Sequence, residues 1–139
     1  MRVAVYALVF DKSRVLAFEK DSGLYSLPKT ILRERETLAD AAARSLKKEA
    51  GIIARQIQFV GIYDAPSREP AFREIATVVL ARFWRREELL PDKAPELHWV
   101  ENFNEASFVE DQNLILQEQG IFAPLSGRLV PFELVKASA

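Results

Sequence analysis

The sequence predicts an α+β fold, a mixed sheet with helices packed on it. Three observations lead there. Residues 3–10 and 74–84 are long, apolar and rich in β-branched side chains, as sheet-interior strands are. Between them, residues 37–50 carry the marks of a helix, and residues 110–119 a second helical spacing at Asn113, Leu114, Leu116 and Gln117, stopped by Gly120. The resulting order of strands, helix, strands, helix and strand is that of a mixed α+β domain.

Residues 3–10 are almost continuously apolar, which suits a strand buried on both faces. Asp11, Lys12, Ser13 and Arg14 make a polar turn, and residues 15–18 return as the second arm of a hairpin. Asp21, Ser22 and Gly23 break the chain before residues 24–28. In the helix, Thr37 and Asp40 have the spacing of a capping box, and Gly51 stands where a C-terminal cap belongs. Leu38, Ala41, Ala42 and Leu46 gather on one face, and Ser45 and Glu49 project from the middle of it. A carboxylate on an apolar face needs solvent, a cation or hydrogen bonds to offset its desolvation. Residues 56–64 alternate as a strand, and residues 65–72, with two prolines, read as a loop. Arg85, Arg86, Glu87 and Glu88 suit a solvated turn, residues 91–95 a loop and residues 97–100 a short strand. The tail over residues 128–136 is extended, and Pro131 confines it to a sheet edge.

A chain of 139 residues with 49% hydrophobic content suits one domain over residues 1–139, with residues 129–139 as a C-terminal extension. A net charge of −1 supplies no global basic field, so no nucleic-acid partner is expected. Without cysteine there is no disulfide scaffold, thiolate metal site or thiol nucleophile. The apolar start ends in a charged turn and lacks a small-residue cleavage site, which argues against a signal peptide. No run approaches the roughly 18 apolar residues of a membrane span. A cytoplasmic protein with no membrane partner is the expectation. The single histidine, His98, cannot build a His-rich metal site, and no serine sits in a G-x-S-x-G elbow. Gly-rich phosphate loops are absent as well.

One stretch carries more specific information. Glu36, seven residues, Arg44, then Leu46, Glu49, Gly51 and Ile52 resemble the Nudix box, G-x5-E-x7-R-E-U-x-E-E-x-G-U, with U a bulky aliphatic. The preceding Tyr25-Ser26-Leu27-Pro28 is similar to the family's W-x-L-P-G-G lead-in, with Lys29 and Thr30 in place of the glycines. The resemblance implies a Nudix-like α/β/α sandwich with a mixed sheet across roughly residues 1–120. In that family the box holds divalent cations against a diphosphate, with carboxylates at i, i+3 and i+4 on one helical face. Here two of the three are replaced, by Ser45 and Lys48.

The carry-over to this chain is therefore partial. It implies Glu49 and Glu36 as metal ligands for Mg²⁺ or Mn²⁺, with binding expected to be weak, and Glu49 and Glu105 as catalytic carboxylates. Glu34 stands as an alternative to Glu36. Arg44, Lys48, Arg68 and Trp99 are the implied substrate-binding residues. Arg68 lies on a segment, Tyr63-Asp64-Ala65-Pro66-Ser67-Arg68-Glu69-Pro70, that resembles a loop of Nudix proteins acting on ADP-ribose-like substrates. A planar guanidinium there can pair with a phosphate, and a Pro-rigidified loop with an exposed Arg–Glu pair explains it equally well. Trp99 supports a base pocket or simply fills core. Arg44 in the family orients box carboxylates through salt bridges, with Glu36 or Glu49 as its partner here.

Three functions compete. The favoured one is a protein that binds nucleoside diphosphate-linked, ADP-ribose-like compounds, its metal-dependent hydrolysis weak or lost. Against it stands an active Nudix pyrophosphohydrolase that uses Glu49 and carboxylates outside the box. A non-catalytic interaction or dimerisation module, compatible with a homodimer, is the third reading.

Overall fold

The apolar runs of the sequence become the centre of one sheet. In a computed structural model that describes residues 2–21, 23–63, 74–87, 97–101, 107, 108, 112, 122–125 and 128–131, ten strands and one helix follow in order. They are β1 (Arg2–Asp11), β2 (Arg14–Asp21), β3 (Leu24–Ser26), β4 (Lys29–Ile31), α1 (Leu38–Ala50), β5 (Ile52–Tyr63), β6 (Glu74–Arg86), β7 (Leu97–Val100), β8 (Ser107–Phe108), β9 (Phe122–Leu125) and β10 (Arg128–Pro131). The eight-stranded sheet runs β5-β6-β1-β2-β3-β8, with β4 also on β1 and β7 also on β2. β1 lies parallel to β6 and β3 to β8, and the other pairs are antiparallel, so the sheet is mixed as predicted. β9 and β10 form a separate antiparallel pair.

Strand β1 is buried from Ala4 to Val9 on both faces. Ala4, Tyr6 and Leu8 join Val15, Ala17, Leu27, Ala76, Val78 and Phe108 on one side. Val5, Ala7 and Val9 join Leu16, Val79 and the helix residues Ala41, Ala42, Leu46 and Ala50 on the other. The helix thus packs its apolar stripe on the sheet centre, and Leu38 lies partly buried at its start. Its ends are closed as the sequence indicates. Thr37 Oγ1 accepts from Asp40 N at 3.0 Å, Asp40 Oδ2 accepts from Thr37 N at 3.1 Å, and Gly51 adopts φ 65°.

Several boundaries differ from the sequence reading. Lys29–Ile31, where the sequence reading places no element, is a short strand, because β1 offers a ladder edge at Ala4, Val5 and Tyr6. β5 begins at Ile52, directly after the helix cap, and β6 continues through Arg85 and Arg86, where a charged turn was expected. Exposed arginines at a strand end are compatible with pairing, which needs only backbone. The loop at residues 65–72 lies outside the described residues, and so does the helix at 110–119 except Gln112, which is helical. Among the described residues, no helix is long and apolar enough to cross a membrane.

Candidate functional site

The site is built on the turn that leads into α1. After β4, Leu32 N donates to Val3 O at 2.9 Å, and the chain leaves the sheet. Arg35 takes φ 64° there, and Glu36 then points back into the turn. Arg33 N donates to Glu36 Oε1 at 3.0 Å, while Arg44 Nη2 reaches the same oxygen at 3.0 Å and Arg44 Nε reaches Oε2 at 2.7 Å. Arg44 Nη2 also reaches Ile31 O at 3.3 Å. One guanidinium therefore fastens the helix to β4 and to the loop at once. The hydrogen bonds from Arg44 hold the Glu36 carboxyl at a pKa of about 2, and Glu36 in turn raises the Arg44 guanidinium.

The rest of the box lies one face further round. Ser45, Lys48 and Glu49 share a face at i, i+3 and i+4. Ser45 is buried at 4% exposure, and its Oγ has no hydrogen-bond partner among the described residues. Glu49 is half-buried, with no ion pair or hydrogen bond to its carboxylate among the described residues. Its charge acts on Arg44, but Arg44 closes on Glu36 instead. Lys48 is exposed beside it.

Trp99, on β7, is half-buried on the helix side of the sheet, where its ring stacks on Trp84 at 5.3 Å between centroids and 16° between planes. Trp84 Nε1 donates to Phe10 O at 3.0 Å, which fixes that ring from behind. Glu105 and Arg68 lie outside the described residues. His98 pairs with Glu19 Oε2 at 3.2 Å and tilts against Tyr25.

Two features escaped the sequence. Gln112, 1% exposed, accepts from Leu27 N at 2.7 Å and donates to Ser26 Oγ at 3.3 Å, so it holds the segment that precedes the box. Glu74, 2% exposed, receives Arg2 at 2.8 Å and Lys29 at 3.2 Å. Lys29, which stands where the family has glycine, is thereby drawn to the sheet face opposite α1, with its amine 5.5 Å from the Tyr6 ring centroid. Both residues act through long-range partners, so no local pattern marks them.

A NUDIX domain model matches residues 1–120. The chain belongs to the NUDIX family. A curated relative, the ADP-ribose pyrophosphatase of Methanocaldococcus jannaschii, is 24% identical over 120 residues, covering 84% of this chain and 71% of its own. Among solved structures, the MutT NUDIX hydrolase from Burkholderia pseudomallei superposes with a TM-score of 0.67 at 21% identity, over 86% of this chain and 97% of that one. The NUDIX domain of Shewanella oneidensis NrtR, solved in complex with ADP ribose, gives 0.61 at 18% identity and 84% of each chain. These likenesses establish the NUDIX fold.

NUDIX hydrolases work with divalent cations, and the donor set here fits a cation cluster poorly. Among the described residues, no three His, Asp or Glu side chains come together as a metal site. Both oxygens of Glu36 are taken by Arg44, with Arg33 N also on Oε1, and Ser45 contributes a neutral hydroxyl. Glu49 is the one box carboxylate left without a protein partner among the described residues. A site with a single carboxylate leaves Mg²⁺ to be held mainly by water and substrate phosphate.

Proposed function

We propose that this NUDIX domain binds nucleoside diphosphate-linked compounds of the ADP-ribose type and hydrolyses them slowly or not at all. The observation that carries the reading is the box face itself, where a buried, neutral Ser45 and an exposed Lys48 stand beside Glu49 in place of two carboxylates. The relatives that name ADP-ribose support the ligand class. Lys48 supplies a positive charge on the flank where family members gather carboxylates, and its ammonium can pair with a phosphate oxygen directly. A cation beside Glu49 competes with Mg²⁺ for that carboxylate and repels the divalent ion itself. Trp99, its ring held by Trp84, is the base-side contact in this reading, and Arg68 a second phosphate contact. Arg44 keeps the helix and loop in register through Glu36.

The test is calorimetric titration of ADP-ribose in EDTA and in Mg²⁺ or Mn²⁺, beside a turnover assay on a panel of nucleoside diphosphate-linked compounds. Binding that persists in EDTA, with little turnover in either metal, is the expected result. Robust metal-dependent cleavage overturns it and makes Glu105 the first residue to mutate.

A further inference from the structure

The β5–β6 ladder changes phase near its open end. Ile57 pairs with Ala81 and Ala54 with Trp84, all four on the helix side of the sheet, although the spacing of both pairs is odd. The switch falls at Arg55 and Phe83, which stand opposite each other without pairing. Phe83 takes φ 52° there, a left-handed conformation that a bulky aromatic rarely adopts. It projects into solvent at 64% exposure, with the Arg82 guanidinium 5.0 Å from its ring centroid. The phase change accounts for the backbone at Phe83, but no packing accounts for an aromatic ring turned outward there.

Its surroundings are basic. The parallel β1–β6 register brings the β1–β2 turn, with Lys12, to this end of the sheet. Glu87 N donates to Gly51 O at 2.7 Å, which brings the last turn of α1, with Lys47 and Lys48, to the same end. Arg55 and Arg86 complete the set. Lys12, Lys47, Lys48, Arg55 and Arg86 are all exposed, and none has an ion pair among the described residues. Arg14 and Arg85 are matched by Asp11 and Glu87. The helix dipole favours Lys47 and Lys48 at a C-terminus, but it says nothing for Lys12, Arg55, Arg86 or Phe83. The overall charge of −1 conceals this separation.

We propose that this end of the sheet is a binding surface for single-stranded nucleic acid, with Lys12, Lys47, Arg55 and Arg86 on phosphates and Phe83, backed by Arg82, as a stacking platform for a base. Cations spread over the ends of β1, β6 and β5 follow a strand of phosphates, and a lone projecting ring suits an unpaired base. A lipid surface fits less well, because interfacial anchoring needs a broad apolar face and Phe83 is the one large exposed apolar side chain at this end among the described residues. Phe59 and Ile62 lie toward the other end of β5.

The experiment is fluorescence anisotropy of the whole protein with labelled oligo-dT and oligo-U over a salt series. Binding is expected at low salt, with log Kd rising against log salt at a slope of about 3, from roughly four phosphate contacts. Phe83→Gly, which also releases the backbone, should weaken binding roughly ten-fold and leave the slope unchanged. Lys12→Glu with Arg86→Glu should lower the slope by about 1.4. All three side chains are exposed and glycine accepts the left-handed φ of Phe83, so the variants should melt at or above the parent and keep its ADP-ribose affinity, which makes this result independent of the site on α1. No binding at low salt, affinities unmoved by both variants, tighter binding to duplex, or binding to phosphatidylserine vesicles in place of the oligonucleotides would each overturn the proposal.

Discussion

Arg44 and Glu36 face each other across the turn into α1 in a two-point contact, Nε to Oε2 at 2.7 Å and Nη2 to Oε1 at 3.0 Å. The pair ties α1 to the turn that leads into it and to β4, so its protonation couples to stability. Arg44 lowers the Glu36 carboxyl from 4.5 to about 2. A group depressed in the folded state stabilises the fold above its unfolded pKa and loses that contribution as pH falls through the folded one. The window is therefore pH 4.5 down to 2, and partial exposure keeps the effect modest. Glu36→Gln should flatten the fall in denaturation midpoint across that window. A variant with the same acid profile as the parent would show that the pair is not coupled to folding.

Neighbouring positions on α1 should respond in opposite directions. Leu46 is 1% exposed among Val5, Val79 and Ala42, and Leu46→Ala should cost roughly 2–5 kcal/mol. Ser45 is almost as buried, but its hydroxyl has no partner among the described residues. Removing a buried polar atom that has no partner relieves a desolvation cost, so Ser45→Ala should be neutral or add up to about 1 kcal/mol. Urea denaturation of both variants decides it, and a loss at position 45 comparable with that at 46 would mean that the hydroxyl does have a partner.

The fold was legible because its signals are periodic and local. The burial of β1 on both faces, the capping box at Thr37 and Asp40, and the stripe of Leu38, Ala42 and Leu46 were all readable from spacing. The Arg44–Glu36 contact could be read only as one of two pairings, since Glu49 lies closer in sequence. Geometry chooses Glu36 because the turn after β4 carries it back under the guanidinium. Glu74 and Gln112 could not be read at all. Their partners lie 72 and 85 residues away, at Arg2 and Leu27, and nothing in the local pattern records such distances.

Gln112 offers a direct check on that long-range tie. It is the acceptor for the buried Leu27 N–H. Gln112→Leu leaves that donor without its acceptor, while Ser26 Oγ still donates to Leu27 O, and should cost about 1–3 kcal/mol, whereas Gln112→Glu keeps an acceptor and should cost less, provided that the carboxyl takes up a proton. Amide exchange at Leu27 is the sensitive readout. Equal protection in the parent and in Gln112→Leu would remove the contact from the account.

The last prediction separates charge from fold at the box itself. Ser45→Glu with Lys48→Glu restores a face of three carboxylates with Glu49, but position 45 is buried, so the new charge enters an apolar setting. Without metal the double variant should melt below the parent, from desolvation and mutual repulsion. A divalent ion that binds the folded face and not the unfolded chain must then raise the midpoint, by about 2.7 kcal/mol of stability at a concentration 100 times its Kd. Melting curves in EDTA and in rising Mn²⁺ should therefore diverge for the double variant and nearly coincide for the parent. Hydrolysis of ADP-ribose is the second readout, because metal that returns without turnover would place the remaining block outside the box carboxylates, with Thr30, opposite Val5 on the α1 side of the sheet, the first to examine. If the parent already shows a steep Mn²⁺ dependence, the replaced carboxylates are not what limits metal binding.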